Sequence, residues 1–211
     1  MKLYTYFRSS AAFRVRIALN IKGIAYEPHV VWLPEGEQKS EAYKQINPQG
    51  LVPTLIDDGQ RLNQSMAIIE YLDETHPEPA LLPKDPLNRA HVRSLAQIVA
   101  CDIHPINNLR ILKYLKSQLK QEQTAIDAWY RHWCEEGLLS YEQQLAELPH
   151  GKYSYGETVT LADVCLVPQV FNAKRFEVDL SKYPRTMGIF DRLMLVPAID
   201  IAQPSKQPDA Q

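Results

Sequence analysis

The chain has 211 residues, 45% hydrophobic and 23% charged, which is typical of a globular protein. Lysine plus arginine is 23 and aspartate plus glutamate is 25, so the net charge is −2 and argues against nucleic acid or an anionic membrane as a partner. Three scattered cysteines without a CxxC pair argue against a disulfide framework or a metal site and indicate a cytoplasmic setting. We see no targeting signal or long apolar run and expect no membrane-spanning segment.

The first part of the chain predicts alternating strands and helices. Hydrophobic residues at every second position predict the strands, and hydrophobic residues at helical spacing predict the helices. Gly23 is placed to end the first helix. In chain order we predict a strand at 2–7, a helix at 11–22, a strand at 26–32, a short helix at 40–46, strands at 51–56 and 61–63, and a helix at 66–75 with Ser65 as its cap.

A cluster of prolines between residues 77 and 86 is the best linker candidate, and beyond it the strand patterns stop. We predict helices at 87–119, 122–148 and 161–176, the last opened by a capping box from Thr160 to Asp163. The polar tail at 203–211 is expected to be extended and loosely held. The prediction is an α/β domain at 1–80, a linker at 81–87 and an all-helical domain at 88–211.

Two features of the first domain suggest chemistry. Ser9 and Ser10 stand between a strand and a helix, where backbone N–H groups favour an anion or a thiolate, although a plain serine cap explains them too. Pro53 interrupts a strand pattern and is either cis or an ordinary edge-strand proline. A cis bond would leave the N–H and C=O of Val52 open to an extended peptide.

Two further features are weaker when taken alone. Gln64 and Ser65 at a helix start suit a carboxylate, or act only as a cap. Pro105 predicts a kink or break in the first long helix, which would turn His104, Asn108 and Arg110 toward a cleft. Taken alone, His104 is equally explained by a structural role. Arg110 and Arg175, taken alone, are equally explained as solvated surface charges.

These signals occur in an order that resembles the zeta class of glutathione transferases. The resemblance covers nearly the whole chain. It is carried by the stretches YFRSS at 6–10, RVRIAL at 14–19, NPQGLVPTL at 47–55, QSMAIIEYL at 64–72, LADVCLVPQV at 161–170 and RFEVD at 175–179. It implies a thioredoxin-like domain followed by a helical domain, a homodimer, and glutathione bound between the domains.

The resemblance also implies roles for single residues. Ser65 with Gln64 would hold the γ-glutamyl end of glutathione, and Val52 would pair with its cysteinyl unit. Ser9 and Ser10 would be the catalytic residues, with Ser9 donating to the sulfur. Other matching contact positions are Ser10, Gln38, His104, Asn108 and Arg110. Arg8, Arg110 and Arg175 are expected to bind the carboxylates of a dianionic substrate.

The implied activity is glutathione-dependent isomerisation of maleylacetoacetate to fumarylacetoacetate, in the catabolism of phenylalanine and tyrosine. The thiolate adds to the cis double bond, the central bond rotates and the thiolate leaves. Ala11 stands where the family often has cysteine, which argues against reductive dehalogenation because that chemistry needs a second thiol. Alternatives are maleylpyruvate as substrate, general conjugation of electrophiles, and a non-catalytic binding module.

Overall fold

The structure, a computed structural model, describes residues 1–149 and 151–210. The chain divides into two compact units. The first unit joins Met1–Ala80 with Met194–Gln211, and the second is Leu81–Leu193. Within the described residues, no helix combines the length and the hydropathy needed to cross a membrane.

The first unit is built on a four-stranded mixed sheet. Its strands are β1 (Lys2–Thr5), β2 (Glu27–Val30), β3 (Thr54–Asp57) and β4 (Gln60–Asn63), in the spatial order β2-β1-β3-β4. Strand β2 is parallel to β1, whereas β3 is antiparallel to both β1 and β4. The helices of this unit are α1 (Ser10–Ile21), α2 (Glu41–Lys44), α3 (Ser65–Thr75) and α10 (Pro197–Asp200). The parallel βαβ start followed by an antiparallel hairpin and helix is the expected thioredoxin-like fold.

Helix α1 shows why the local predictions succeeded here. Ser9 caps the helix, since its Oγ accepts the N–H of Ala12 at 3.2 Å, and Gly23 follows the helix with a φ of 65°. The apolar residues at helical spacing are fully buried, among them Val15 and Leu19. These contacts fix the helix, and with it the loop that leads into the helix from β1.

The second unit is all-helical. Its helices are α4 (Pro86–Gln97), α5 (His104–Ile106), α6 (Leu109–Ser117), α7 (Gln123–Glu147), α8 (Leu161–Arg175) and α9 (Pro184–Leu193). The predicted capping box of α8 is confirmed, because Thr160 and Asp163 bond to each other's backbone groups. Helix α9 was not predicted. Its start is stabilised by Glu142 of α7, whose carboxylate accepts the N–H groups of Arg185 and Thr186.

The single helix predicted at 87–119 is wrong. The α-helix ends at Gln97, a π-helical stretch covers Ile98–Ile103, and two short helices follow. Pro105 has no N–H for the carbonyl four residues back, which explains the local loss of regular helix. Asn108 then starts a new helix, since its Oδ1 accepts the N–H of Arg110 at 3.1 Å.

The C-terminal segment, residues 194–210, corrects two predictions. It belongs to the first unit and not to a helical domain that runs to residue 211. It is also held in place: a 3-10 helix covers Pro204–Lys206, and Asp209 accepts the N–H of Phe7 at 2.9 Å. Within the predicted linker at 81–87, Leu81 and Leu82 are buried and Pro86 opens α4.

The three cysteines lead to a test of the packing of the second unit. Cys134 and Cys165 are fully buried, burial raises the pKa of the Cys134 thiol to about 12, and Cys101 is exposed. Because the thiolate is the reactive form, we expect a thiol reagent to modify one cysteine per native chain quickly and all three after denaturation. Fast reaction of two or three thiols in the native protein would contradict this packing.

Candidate active site

Three predicted site segments meet at one edge of the sheet. Tyr4 near the end of β1 pairs with Thr54 at the start of β3, and Thr54 pairs with Asn63 at the end of β4. The chain leaves β1 toward Ser9, enters β3 from Val52 and leaves β4 toward Gln64. Because β3 is antiparallel to both neighbours, all three connections lie at the same edge. The topology therefore brings together segments that are far apart in the sequence.

At the first connection, Ser9 caps α1 as an acceptor, and its hydroxyl hydrogen stays available for donation. Its Oγ accepts the N–H of Ala12, its carbonyl accepts the N–H of Phe13, and its own N–H donates to the carbonyl of Tyr6. A hydroxyl that accepts one bond still has a donor hydrogen. Ser10 is the first, buried residue of α1, and the first turn of that helix has no acidic residue. The helix N-terminus is thus suited to a negative charge.

The second connection carries the Val52–Pro53 bond, which is cis. Val52 is buried, and neither its N–H nor its C=O bonds to any of the residues the structure describes. A polar network holds this loop. The Nδ2 of Asn47 and the hydroxyl of Tyr43 both donate to the carbonyl of Leu51, at 2.8 and 2.7 Å. The loop thereby presents the free N–H and C=O of Val52 in a fixed position.

At the third connection, Gln64 has a φ of 68°, a conformation that is costly for a residue other than glycine. The predicted cap at Ser65 is wrong, since Gln64 occupies the cap position and Ser65 is the first helical residue. The Nε2 of Gln64 donates to the Oε1 of Gln49 at 2.9 Å, and the Oγ of Ser65 accepts from the Nη1 of buried Arg14 at 3.4 Å. Strained backbone of this kind is common at functional sites.

Gln38 lies in a 3-10 helix, Glu37–Lys39, beside the turn that precedes Val52. A Cβ added to Gly50 would come within 2.7 Å of the carbonyl oxygen of Gln38, so glycine permits this close approach. The Oε1 of Gln38 is a buried atom without a hydrogen-bond partner among the described residues. A buried acceptor of this kind is available to a donor group of a ligand.

Three candidate residues of the second unit, His104, Asn108 and Arg110, lie on the two sides of the break between α5 and α6. His104 opens α5, and its Nε2 is 3.5 Å from the Nδ2 of Asn108, which caps α6. Arg110 lies in the first turn of α6 and is exposed. The structure thus joins His104 to Asn108 across this break, and the orientation of these residues toward a cleft stays a prediction.

Two further arginines are exposed. Arg8 precedes Ser9 in the first unit, with its guanidinium 4.9 Å from the ring centroid of Phe7. Arg175 is the last residue of α8 in the second unit, with its guanidinium 5.1 Å from the Phe176 ring. Within residues 1–149 and 151–210, Arg8, Arg110 and Arg175 form no ion pair. The described ranges 1–149 and 151–210 also contain no cluster of histidine, cysteine, aspartate or glutamate side chains that could hold a metal ion.

Sequence reasoning missed Gln49 and Asp209. Gln49 was assigned to a turn only, although its side chain bonds to Gln64. An N-P-Q-G turn followed by a proline-interrupted strand was the available signal. Asp209 accepts a hydrogen bond from Phe7, in the loop before Ser9, although the two residues are 202 positions apart in the sequence. No local pattern indicates such a contact.

Comparison with known proteins identifies the class. Residues 3–80 match the family described as glutathione S-transferase, N-terminal domain. A probable maleylacetoacetate isomerase of Vibrio cholerae is 50% identical over 210 residues, covering 99% of this chain and 97% of that protein. A holo structure of a maleylpyruvate isomerase, described as a bacterial zeta-class glutathione S-transferase, is 49% identical with full coverage of both chains and a TM-score of 0.98.

A second solved structure shows a ligand in a relative. The maleylacetoacetate isomerase of Methylobacterium extorquens AM1, with bound malonate and glutathione, is 40% identical, with full coverage of both chains and a TM-score of 0.97. The chain belongs to the zeta class of glutathione transferases. The family predicted from the sequence stretches is therefore confirmed.

Proposed function

We propose that this protein is a glutathione-dependent cis–trans isomerase that converts maleylacetoacetate to fumarylacetoacetate. The observation that carries the proposal is the free backbone N–H and C=O of Val52, which lie at the same sheet edge as the N-termini of α1 and α3. Relatives named as maleylacetoacetate isomerases support the reaction type.

The open groups fit a peptide with a free carboxylate. The N–H and C=O of Val52 can pair with the cysteinyl unit of glutathione, as a short strand addition. The N-terminus of α3, with Gln64 and the hydroxyl of Ser65, suits the α-carboxylate of the γ-glutamyl end. Gln38 supplies a buried acceptor on the same side. Ser10, His104, Asn108 and Arg110 complete the proposed set of contacts.

Ser9 is proposed to activate the thiol. Bound glutathione supplies a sulfur nucleophile that adds reversibly to the double bond and is regenerated. A thiol has a pKa near ~8.5, and a helix N-terminus can lower it by about one unit or more. The Ser9 hydroxyl, already oriented by Ala12, donates its hydrogen toward the sulfur. Both effects favour the thiolate at neutral pH.

The arginines are proposed to bind the substrate dianion. Arg8, Arg110 and Arg175 are exposed cations without an acidic partner in the described part of the chain. Guanidinium groups bind carboxylates in a planar, two-bond geometry and would also stabilise enolate charge that develops next to the carbonyl. A net charge of −2 thus remains compatible with a small anionic substrate.

The cysteine positions favour isomerisation over redox chemistry. All three cysteines lie beyond residue 100, and Ala11 follows the serine pair. Isomerisation returns the thiol of glutathione unchanged and needs no second thiol.

We infer from the reduced cysteines that the protein is cytoplasmic, and from the family resemblance that it is a homodimer. Light scattering tests the latter, with twice the 24.2 kDa chain mass expected.

Maleylpyruvate is the main alternative substrate, and the zeta-class structure with 49% identity is named for it. Turnover on both maleyl acids and a chloro-aromatic electrophile, measured side by side, separates the possibilities. We expect maleylacetoacetate to give the highest kcat/KM. Preference for maleylpyruvate would favour that alternative, and preference for the chloro-aromatic would favour general conjugation. Failure to bind immobilised glutathione would favour a non-catalytic module.

Arg175→Ala is predicted to raise KM for the maleyl acid about tenfold or more, with little change in the melting temperature. The reason is that a charged hydrogen bond to a carboxylate contributes about 1.5–3 kcal/mol. Lys174→Ala is the matched control, since Lys174 is a neighbouring cation at the same helix end, 4.2 Å from the Phe190 ring. Equal KM values in the two variants, or a loss of stability alone, would show that Arg175 is structural.

A further inference from the structure

The loop of residues 6–9 connects β1 to the N-terminus of α1. It is held in place by residues that are distant in the sequence. The N–H of Phe7 donates to the Oδ2 of Asp209 at 2.9 Å. Ala210 packs against the apolar cluster that contains Tyr6, Phe7 and Val52. The far end of the chain therefore contacts the two residues that precede Arg8 and Ser9.

Arg16 ties the same loop to the same C-terminal segment. Its guanidinium is fully buried, and its Nε donates to the carbonyl of Ala202 at 3.2 Å. On the other side, Nη2 donates to the carbonyl of Phe7 at 3.0 Å, and Nη1 donates to the carbonyl of Tyr6 at 3.4 Å. Arg16 thus bridges the loop and the segment. Burial lowers the pKa of Arg16 to about 10, and the charge of nearby Asp209 opposes that shift.

These contacts leave the loop little freedom. The carbonyls of Tyr6 and Phe7 point to Arg16, the N–H of Phe7 points to Asp209, and the N–H of Ser9 donates to the carbonyl of Tyr6 at 2.9 Å. A buried backbone group that loses its partner is costly, so the loop conformation depends on both side chains. Ser9 ends this fixed loop, so the loop conformation sets the position of its hydroxyl.

We propose that Asp209 and Arg16 are positioning residues for the thiol-activating Ser9, and that the C-terminal segment is a working part of the active site. The inference rests on the proposed glutathione-dependent function. Neither side chain needs to touch glutathione. Both act through the loop, which fixes the Ser9 hydroxyl and the first N–H groups of α1.

The test compares two substitutions of one carboxylate. Asp209→Ala removes the acceptor of the Phe7 N–H, whereas Asp209→Asn keeps an oxygen that can accept the same bond. We expect Asp209→Ala to lower kcat with glutathione and a maleyl acid about tenfold, because a buried donor that loses its acceptor costs about that factor. The Kd of glutathione should change less, and Asp209→Asn should restore most of kcat.

Lys206→Ala is the matched control in the same segment. Lys206 is half-exposed and pairs with Asp200, which lies outside the loop. We expect kcat to stay at the wild-type value in this variant. An equal loss in Lys206→Ala and Asp209→Ala would overturn the proposal, since a general loosening of the segment would then explain both.

Hydrogen exchange of the backbone amides of residues 7–9 gives a readout that is independent of activity. Asp209→Ala should exchange about tenfold faster there than the wild type or Asp209→Asn. Faster exchange with unchanged kcat would overturn the proposal, as would lower kcat with unchanged exchange. Wild-type protein that shows no isomerase turnover would contradict the proposed function instead, while the exchange comparison would still report whether Asp209 holds the loop.

Discussion

Ser9→Ala is expected to lower kcat for the maleyl acid about a hundredfold while glutathione still binds. Removing one donor that stabilises a developing or resident anion in an enzyme costs a factor of that order. The substitution also removes a helix cap, because Ser9 Oγ accepts the N–H of Ala12 at 3.2 Å. The measurement is steady-state turnover with a parallel titration of glutathione. Unchanged turnover would show that Ser9 does not stabilise the thiolate.

The chain offers a matched control for the cap. Ser40 caps α2 with the same geometry, since its Oγ accepts the N–H of Tyr43 at 3.2 Å. Ser40→Ala should therefore cost a similar free energy of unfolding, about 1 kcal/mol, with kcat unchanged. Ser9→Asp separates the roles further, because aspartate is a good cap but has no hydrogen to donate and repels a thiolate. A fully active Ser9→Asp variant would contradict the proposed role.

Asp163→Ala is expected to give the largest loss of stability, about 3 kcal/mol or more. The fully buried Asp163 carboxylate accepts the N–H of Thr160 at 2.7 Å and the N–H of Ser154 at 2.9 Å. Alanine would leave two buried backbone donors without partners, each at a cost of about 1–3 kcal/mol. Thermal unfolding should show a midpoint lower by roughly 10 °C, given the usual scaling for a chain of this size.

Asp85→Ala is the control for that experiment. Asp85 is an exposed cap of α4 and accepts the N–H of Asn88 at 2.9 Å, so water can replace it. We expect a loss of about 1 kcal/mol or less. Equal losses in Asp85→Ala and Asp163→Ala would show that burial does not determine the effect, contrary to the account of the α8 capping box.

Local chemistry made the capped helices and the main strands of this chain predictable. Ser9 and Gly23 bound α1, and the Thr160 to Asp163 box opens α8, because these signals act within a few residues. The cis Val52–Pro53 bond was one of two open possibilities, and the structure decided between them. The interruption near Pro105 was also signalled, although its extent was not.

The remaining differences come from contacts between distant residues. Nothing near Asp209 indicates that its carboxylate accepts the N–H of Phe7, and no local pattern joins Ala202 to Arg16. The polar composition at 203–211 predicts a loosely held tail, but specific hydrogen bonds to distant residues, such as these two, hold the segment in place. The start of α9 depends in the same way on Glu142, which is remote in sequence.

In the candidate site, too, local signals predict some features, whereas others depend on contacts between distant residues. Ser9, Gln64 and Ser65 could be named from their places at strand-to-helix junctions, but only the pairing of Tyr4, Thr54 and Asn63 shows why these junctions share one edge. The strained φ of Gln64 and its bond to Gln49 have no signature in composition or periodicity. A sequence pattern can identify chemistry-bearing residues, and the sheet register explains their convergence.

The most direct test of the account is a thiol balance during turnover. Purified protein is mixed with a limiting amount of glutathione and an excess of maleylacetoacetate or maleylpyruvate, and both the fumaryl product and the free thiol are followed. We predict many moles of product per mole of glutathione, no loss of free thiol, and no product without glutathione. Thiol consumption equal to the substrate converted, or an equal rate without glutathione, would contradict isomerisation by a regenerated thiolate.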